Sequence, residues 1–251
     1  MVIFVGAGPG APDLITLRGK EALEAADVIV YAGSLVNPRL LDWAPEGCEI
    51  HNSAAMTLEQ VMDVMLPAAR AGKRVVRLHT GDPSLYGAIR EQIDLLKAAG
   101  IPFQVVPGVS SFCAAAASLG AEYTLPGVSQ SLIITRAAGR TPVPEKEEIS
   151  SLAAHGASMA IFLSTGLLDS LSGRLIEGGY APDSPAALVY KASWPDEQFF
   201  LTTVSALAET AKRENITKTA LVLVGGFLGD QYNRSLLYDP GFTHEFREAE
   251  R

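Results

Sequence analysis

Leu78-His79-Thr80-Gly81-Asp82-Pro83-Ser84-Leu85-Tyr86-Gly87 is the stretch that decides how this chain is read. A β-branched run, Arg74-Val75-Val76-Arg77-Leu78, precedes it, and a helical pattern over 88–98 follows it. The spacing predicts a strand, a tight polar turn and a helix. In open α/β sheets ligands bind just beyond the carboxyl ends of the strands. Gly81 frees the backbone for close approach, Pro83 stops the strand, and Asp82 offers both a carboxylate and a cap. Alone, this is an ordinary strand-to-helix turn. What recurs at other strand ends decides the matter.

Upstream, Val2-Ile3-Phe4-Val5 runs into the loop Gly6-Ala7-Gly8-Pro9-Gly10-Ala11-Pro12-Asp13, and a helix is expected from Thr16. Val28-Ile29-Val30-Tyr31 reads as a second strand, a short helix carries Leu40 and Leu41, and Glu49-Ile50-His51 reads as a brief strand. Thr57 and Gln60 have capping-box spacing. Leu58, Val61, Met62, Met65, Leu66 and Ala69 then recur at helical period, so the methionines belong to the core. Downstream, Phe103-Gln104-Val105-Val106 ends in Pro107-Gly108-Val109-Ser110-Ser111, before a small-residue helix over 112–119. Alternating helices and near-continuous apolar strands predict a parallel sheet covered on both faces.

The second half differs. A strand at 132–135 leads into the polar loop Arg136-Ala137-Ala138-Gly139-Arg140-Thr141-Pro142. A helix over 145–154, a strand over 159–163 and a helix over 167–177 continue the alternation. The runs 186–190 and 198–202, with Asp196 in a turn between them, suit an antiparallel hairpin. A helix over 204–213 and a strand over 220–226 complete it, so the second sheet is expected to be mixed. Gly120, Pro126 and Gly127 mark a boundary, giving an N-terminal α/β domain at 1–119, a C-terminal α/β domain at 120–241 and a charged tail at 242–251 that frays.

Composition narrows the function. At 48% hydrophobic and 19% charged residues, the 251-residue chain is neither disordered nor membrane-spanning. Met1-Val2-Ile3-Phe4-Val5-Gly6 lacks the features of a signal peptide, and Cys48 and Cys113 fit a reducing compartment, so a cytoplasmic protein is expected. His51, His79, His155 and His244 show no ligand spacing, so no metal is expected. A net charge of −8 disfavours nucleic acid.

Gly6, Gly8 and Ala11 match a dinucleotide fingerprint after a strand. Against it, Pro9 and Pro12 remove N–H donors, the helix starts only near Thr16, and no acid ends the second strand. A structural turn and a close-packed floor for another ligand remain open.

In order and spacing, Val5-Gly6-Ala7-Gly8-Pro9-Gly10 with Asp13, Leu14 and Thr16, then Gly81-Asp82-Pro83, then Val106-Pro107-Gly108-Val109-Ser110-Ser111 resemble the tetrapyrrole methylases, the class III S-adenosylmethionine-dependent methyltransferases. Tyr31-Ala32-Gly33-Ser34-Leu35-Val36, Asn52-Ser53-Ala54, Ser84-Leu85-Tyr86-Gly87 and the loop 135–142 are similar to the branch that methylates ring carbon 11 of precorrin-4 or cobalt-precorrin-4 in cobalamin biosynthesis. The resemblance implies two α/β domains with a cofactor and substrate cleft between them, usually in a homodimer. It implies S-adenosyl-L-methionine as cofactor, leaving as S-adenosyl-L-homocysteine. By motif position Pro9, Thr80, Gly81, Asp82, Leu85, Ser110, Ser111, Leu163 and Ala192 would contact it. No metal is required, and no catalytic general base can be named.

A precorrin carries many carboxylates, so an acidic protein must gather cations locally. Arg136 and Arg140 flank a glycine at a strand end and are the first candidates to bind substrate, with Lys191 at another strand end. Tyr31, Tyr86 and Phe112 could offer flat surface to the macrocycle, although core packing is the default for aromatics. Of these, Tyr31 is expected to contact substrate. Arg77 is expected to pair with a buried acid, Arg90 to form a helical salt bridge, and His51 and His79 to be satisfied structural histidines. Diphthine synthase, a nicotinamide oxidoreductase and a non-catalytic metabolite-binding module are the competing readings.

Overall fold

The computed structural model describes residues 1–249. By its internal contacts the chain divides into two compact units, Met1–Ala114 with Ala192–Asp196, and Ala115–Lys191 with the segment that begins at Glu197.

The first unit is built on a five-stranded sheet in the order β3-β2-β4-β1-β5. Its strands are β1 (Val2–Gly6), β2 (Val28–Tyr31), β3 (Glu49–Asn52), β4 (Val75–His79) and β5 (Phe103–Val106). Every pairing is parallel, as the unbroken apolar strands predict. Both faces are covered. On one, Val2, Phe4, Val30 and Val75 pack against Met62 and Met65 of α2 (Leu58–Arg70) and Leu96 of α3 (Ile89–Ala98). On the other, Val5, Ile29, Val76 and Leu78 pack with Leu23 of α1 (Leu17–Glu24) and with Leu40. Thr16 caps α1, and Thr57 and Gln60 form the expected reciprocal box at the start of α2. In a parallel sheet all carboxyl ends share one edge, so the loops after β1, β4 and β5 emerge side by side. A further helix, α4 (Ser111–Leu119), follows β5.

The second unit holds a mixed five-stranded sheet in the order β6-β7-β10-β8-β9. Here β6 (Leu132–Arg136) and β7 (Ser158–Phe162) are parallel. The other strands are β8 (Pro185–Tyr190), β9 (Gln198–Thr203) and β10 (Ala220–Val224), and their pairings, like that of β10 with β7, are antiparallel. The β8–β9 hairpin is the one expected. The core gathers Met159, Ile161, Leu188 and Val222 with Leu171 and Leu175 of α6 (Leu168–Glu177) and Leu207 of α7 (Leu207–Arg213).

Two helical expectations shrink. Residues 145–154 give only a 3-10 turn and the five-residue α5 (Ile149–Ala153). Glu145, Glu147 and Glu148 crowd three carboxylates into one turn that buries nothing, and Glu148 is extended; the helix begins at Ile149, which is fully buried. Helix α7 starts only at Leu207: β9 runs to Thr203, and the N–H groups of Val204 and Ser205 still bond to the carbonyls of Ser184 and Pro182. At the chain end, Arg247 ties itself to Leu237 O (3.0 Å) and Asp239 O (2.6 Å). No helix among the described residues is long and apolar enough to cross a membrane, and no metal-ligand cluster occurs among them.

Candidate functional site

The loops that follow β1, β4 and β5 meet backbone to backbone. Ala7 N donates to His79 O at 2.7 Å, and Gly8 and Gly81 exchange N–H···O bonds at 3.3 and 2.9 Å. Gly6, Gly81 and Gly108 nest together: a Cβ on Gly6 would lie 2.5 Å from Gly108 Cα and 2.7 Å from Gly81 O. Gly81 itself has φ +60°, the left-handed region that favours glycine. The three glycines that carried the resemblance thus serve first to pack three strand ends against one another.

Asp82 is the clasp of this nest. Its Oδ2 accepts from Gly108 N at 2.9 Å, and its Oδ1 accepts from Ser84 N at 2.8 Å and from the Ser84 hydroxyl. Burial pushes the carboxyl upward, but the bonds from the Ser84 hydroxyl, Gly108 N and Ser84 N outweigh it and hold the group below the usual carboxylate range. Leu85 N closes the turn onto Asp82 O. Ser110 is buried, and its carbonyl accepts from Cys113 and Ala114 at the start of α4. The hydroxyls of Thr80 and Ser111, half-buried at the same edge, bond to no other described residue and can serve a ligand.

The first glycine loop is closed from a distant part of the sequence. Trp194 Nε1 donates to Pro9 O (3.0 Å), its indole fills the space a side chain on Gly10 would need, and Ser193 Oγ accepts from Ala11 N (3.0 Å). Asn37 Nδ2 donates to Gly10 O at 2.8 Å. With Ala7, Gly8 and Ala11 N–H all spent and Pro9 and Pro12 lacking one, the loop has little left with which to cradle a pyrophosphate, and the dinucleotide reading fails. Ala192, buried, begins this closing segment. Asn37, Ser193 and Trp194 were missed as contributors, because nothing local in the sequence pairs them with residues 9–11.

Beneath the same edge lies a polar cluster. Arg77, expected to meet a buried acid, does not: its Nε donates to Gln92 Oε1 (3.1 Å) and its Nη1 to Val30 O (3.1 Å). Burial lowers its pKa to about 10, so it stays charged at neutral pH. A parallel-sheet face under two helices offers amide and carbonyl partners more readily than a carboxylate that would need desolvating too. His79, 3% exposed, is pushed down to about 3 by burial and then by Arg77, so it is neutral, and its Nε2 has no partner. The expectation of a fully satisfied histidine fails there, whereas His51 Nε2, without a hydrogen bond, lies 3.9 Å from Glu49 Oε2. Arg90 pairs with Asp94 at 2.9 Å as expected. Tyr31 is half-buried against the α1-side core and its carbonyl accepts from Ser53 Oγ, whereas Tyr86 is 46% exposed.

In the second unit, Arg136 ends β6, and Leu163 and Lys191 directly follow β7 and β8, at one edge of the sheet. Arg136 turns back on its own loop, donating to Thr141 O (3.2 Å) and Pro142 O (2.7 Å). Arg140, carried on that loop, is exposed and makes no ion pair among the described residues. Leu163 lies just past β7, left-handed (φ 53°) and 67% exposed. Buried Ser164 fixes it from behind, accepting from Ala137 N (2.9 Å) and donating to Phe162 O (2.7 Å), while Thr165 Oγ1 donates to Ala220 O (3.0 Å). Lys191, also left-handed, sits 5.3 Å over the Tyr190 ring, and its N–H donates to Thr219 O.

The chain as a whole is similar to known proteins. Residues 1–208 match the family model for tetrapyrrole (corrin/porphyrin) methylases. A cobalt-precorrin-4 C(11)-methyltransferase of Methanocaldococcus jannaschii is 55% identical over 251 residues, covering 100% of this chain and 97% of that protein. The X-ray structure of a cobalamin biosynthetic enzyme, cobalt precorrin-4 methyltransferase, superposes with a TM-score of 0.89 at 46% identity, over 91% of this chain and 96% of the other. A uroporphyrin-III C-methyl transferase of Thermus thermophilus, solved with S-adenosyl homocysteine, gives a TM-score of 0.77 at 29% identity, covering 90% of this chain and 98% of the other. The chain therefore belongs to the tetrapyrrole (corrin/porphyrin) methylase family.

Proposed function

We propose that this protein transfers a methyl group from S-adenosylmethionine to ring carbon 11 of precorrin-4 or cobalt-precorrin-4, in cobalamin biosynthesis. The products are precorrin-5, or cobalt-precorrin-5A, and S-adenosylhomocysteine. The observation that carries this is the convergence of Gly6, Gly81-Asp82 and Gly108 in one backbone nest. The three stretches that define the resemblance are separate in sequence and single in space.

The cofactor brings an already activated methyl on its sulfonium, and the electron-rich ring carbon is the nucleophile. What the chain must do is orient, which in favourable cases contributes about 7–11 kcal/mol. Thr80, Leu85 and Ser111 offer side chains to the cofactor at the first sheet's carboxyl edge, with Gly81 and Pro9 as close backbone neighbours. Asp82 and Ser110 fix that backbone. Ala192 opens the segment that seals the first glycine loop, and Leu163 is displayed to a ligand by its exposed, left-handed position. With all its acceptor work directed at Gly108 and Ser84, Asp82 is a holding group and not a base. His79 is buried and neutral, and no general base is assigned. Arg140 and Lys191 bind substrate carboxylates, while Arg136 shapes the loop that carries Arg140. Tyr31 offers its ring as flat surface to the macrocycle. The working form is a cytoplasmic homodimer, on the family resemblance.

The test is calorimetric titration with S-adenosylhomocysteine, with NAD in parallel. Saturable binding of the first alone is expected, and the reverse pattern would overturn the reading. Incubation with a labelled methyl donor and either tetrapyrrole should then add one methyl at carbon 11. Gly81→Val, which forces a β-branched residue to φ +60°, should abolish cofactor binding. Native-like binding in that variant would place the cofactor at another strand end.

A further inference from the structure

In the loop over 82–88 two non-glycine residues, Tyr86 (φ 57°) and Ala88 (φ 48°), are left-handed. Such conformations persist only where the surroundings over-determine them. Asp82 clasps the front of the loop. At the rear, α3 begins with Ala88 at its cap position and no side-chain cap. Gln92, one turn into that helix and 4% exposed, supplies the hold: its Nε2 donates to Ala88 O at 3.2 Å, while its Oε1 accepts from Arg77 Nε at 3.1 Å. Arg77 in turn donates to Val30 O. A continuous buried line of polar groups therefore runs from β2 through β4 to the far end of the loop.

Nothing in the packing of the unit asks for this line. Leu96, one turn further along α3, fills the same apolar face with a hydrocarbon side chain. Burying a charged arginine without an acid is costly, so a purely structural core would be served as well by leucines at both positions. What the polar pair provides and leucines would not is a hydrogen bond at the residue where the loop must turn left-handed.

We propose that Arg77 and Gln92 are positioning residues, which through Ala88 hold Leu85 and Tyr86 in the arrangement that receives the cofactor. This rests on the reading of residues 80–85 as part of the cofactor site. The discriminating variant is Gln92→Glu. Its carboxylate still accepts from Arg77 but has no N–H for Ala88 O, so it removes the hold on the loop while leaving the arginine partnered.

Gln92→Glu should keep a melting temperature close to the parent's. Its dissociation constant for S-adenosylhomocysteine should rise about tenfold, and in ligand-free protein the amides of 85–88 should exchange faster while those of β1 and β4 stay unchanged. Unchanged affinity together with unchanged loop exchange would overturn the proposal. Gln92→Met, similar in volume and lacking both bonds, gives the same readout should the glutamate not fold. If the parent protein binds no S-adenosylhomocysteine but Gln92→Glu still frees the loop amides, the cofactor reading falls and the hold on the loop stands.

Discussion

The carboxyl edges of the two sheets are secured in opposite ways. At the first, glycines let three backbones touch, N–H to carbonyl and Cα to carbonyl, and one side chain, Asp82, clasps the nest. At the second, side chains do the fixing: the hydroxyls of Ser164 and Thr165 tie β7 to the β6 loop and to the start of β10, and the Arg136 guanidinium ties its own loop. Backbone packing tolerates no added atom but asks little of its neighbours' identity. Hydroxyl pinning tolerates added volume poorly too, yet its larger weakness is the loss of a single oxygen.

Gly108→Ala should break the first edge hardest. The new Cβ would lie 2.7 Å from Gly6 Cα and closer still to Gly81 O, both backbone atoms that cannot swing aside. Overpacking of this kind costs about 3 kcal/mol at the upper end of its usual range, or roughly 6–12 °C in melting temperature for a chain of this size. Gly166→Ala, at the second edge with nothing within 4 Å, is the control and should change stability by less than about 0.5 kcal/mol. Equal melting of the two variants would show that the nest has slack.

Ser164→Ala comes next. Its hydroxyl is fully buried and serves Ala137 N and Phe162 O together. Removing it strands a buried N–H, which costs about 1–3 kcal/mol. Chemical denaturation should find that loss.

The same contrast explains what could be read from the sequence. Glycines and an aspartate at fixed spacing after apolar strands are visible as a pattern, so the first edge, its parallel sheet and the α2 capping box were legible. Serine, threonine and leucine at the second edge have no such signature, and Leu163 was placed in a strand that ends at Phe162. Long-range closures are silent in the same way: Trp194 reaches Pro9, and Asn37 reaches Gly10, with no local sign of either. The mistaken acid partner for Arg77 has a related cause, since Gln92 in a helical pattern looks like a solvated residue until α3 is laid on the sheet.

Asp82 offers a pH-dependent version of the first edge's hold. Its folded pKa is depressed, so the stability it contributes is complete above the unfolded aspartate value of about 3.9 and is lost as pH falls through the lower folded value. The stability gap between the parent and Asp82→Asn should therefore be constant from pH 7 to 5 and narrow only below pH 4. A gap that already closes between pH 7 and 5 would assign the hold to some other group.

Arg140→Ala should disturb the fold least, and that is its use. The side chain is exposed and serves no carbonyl or carboxylate among the described residues, so stability should move by less than about 0.5 kcal/mol. Arg136→Ala, by contrast, loses the bonds to Thr141 O and Pro142 O and loosens the loop itself. If Arg140 binds a substrate carboxylate, Arg140→Ala raises the KM for the tetrapyrrole several-fold while melting temperature and S-adenosylhomocysteine affinity stay put, and added salt reproduces part of the effect in the parent by screening the pair. Arg136→Ala should raise the same KM and lower stability with it. The pair of variants separates a residue that touches substrate from one that presents it, because only the second pulls stability and KM together.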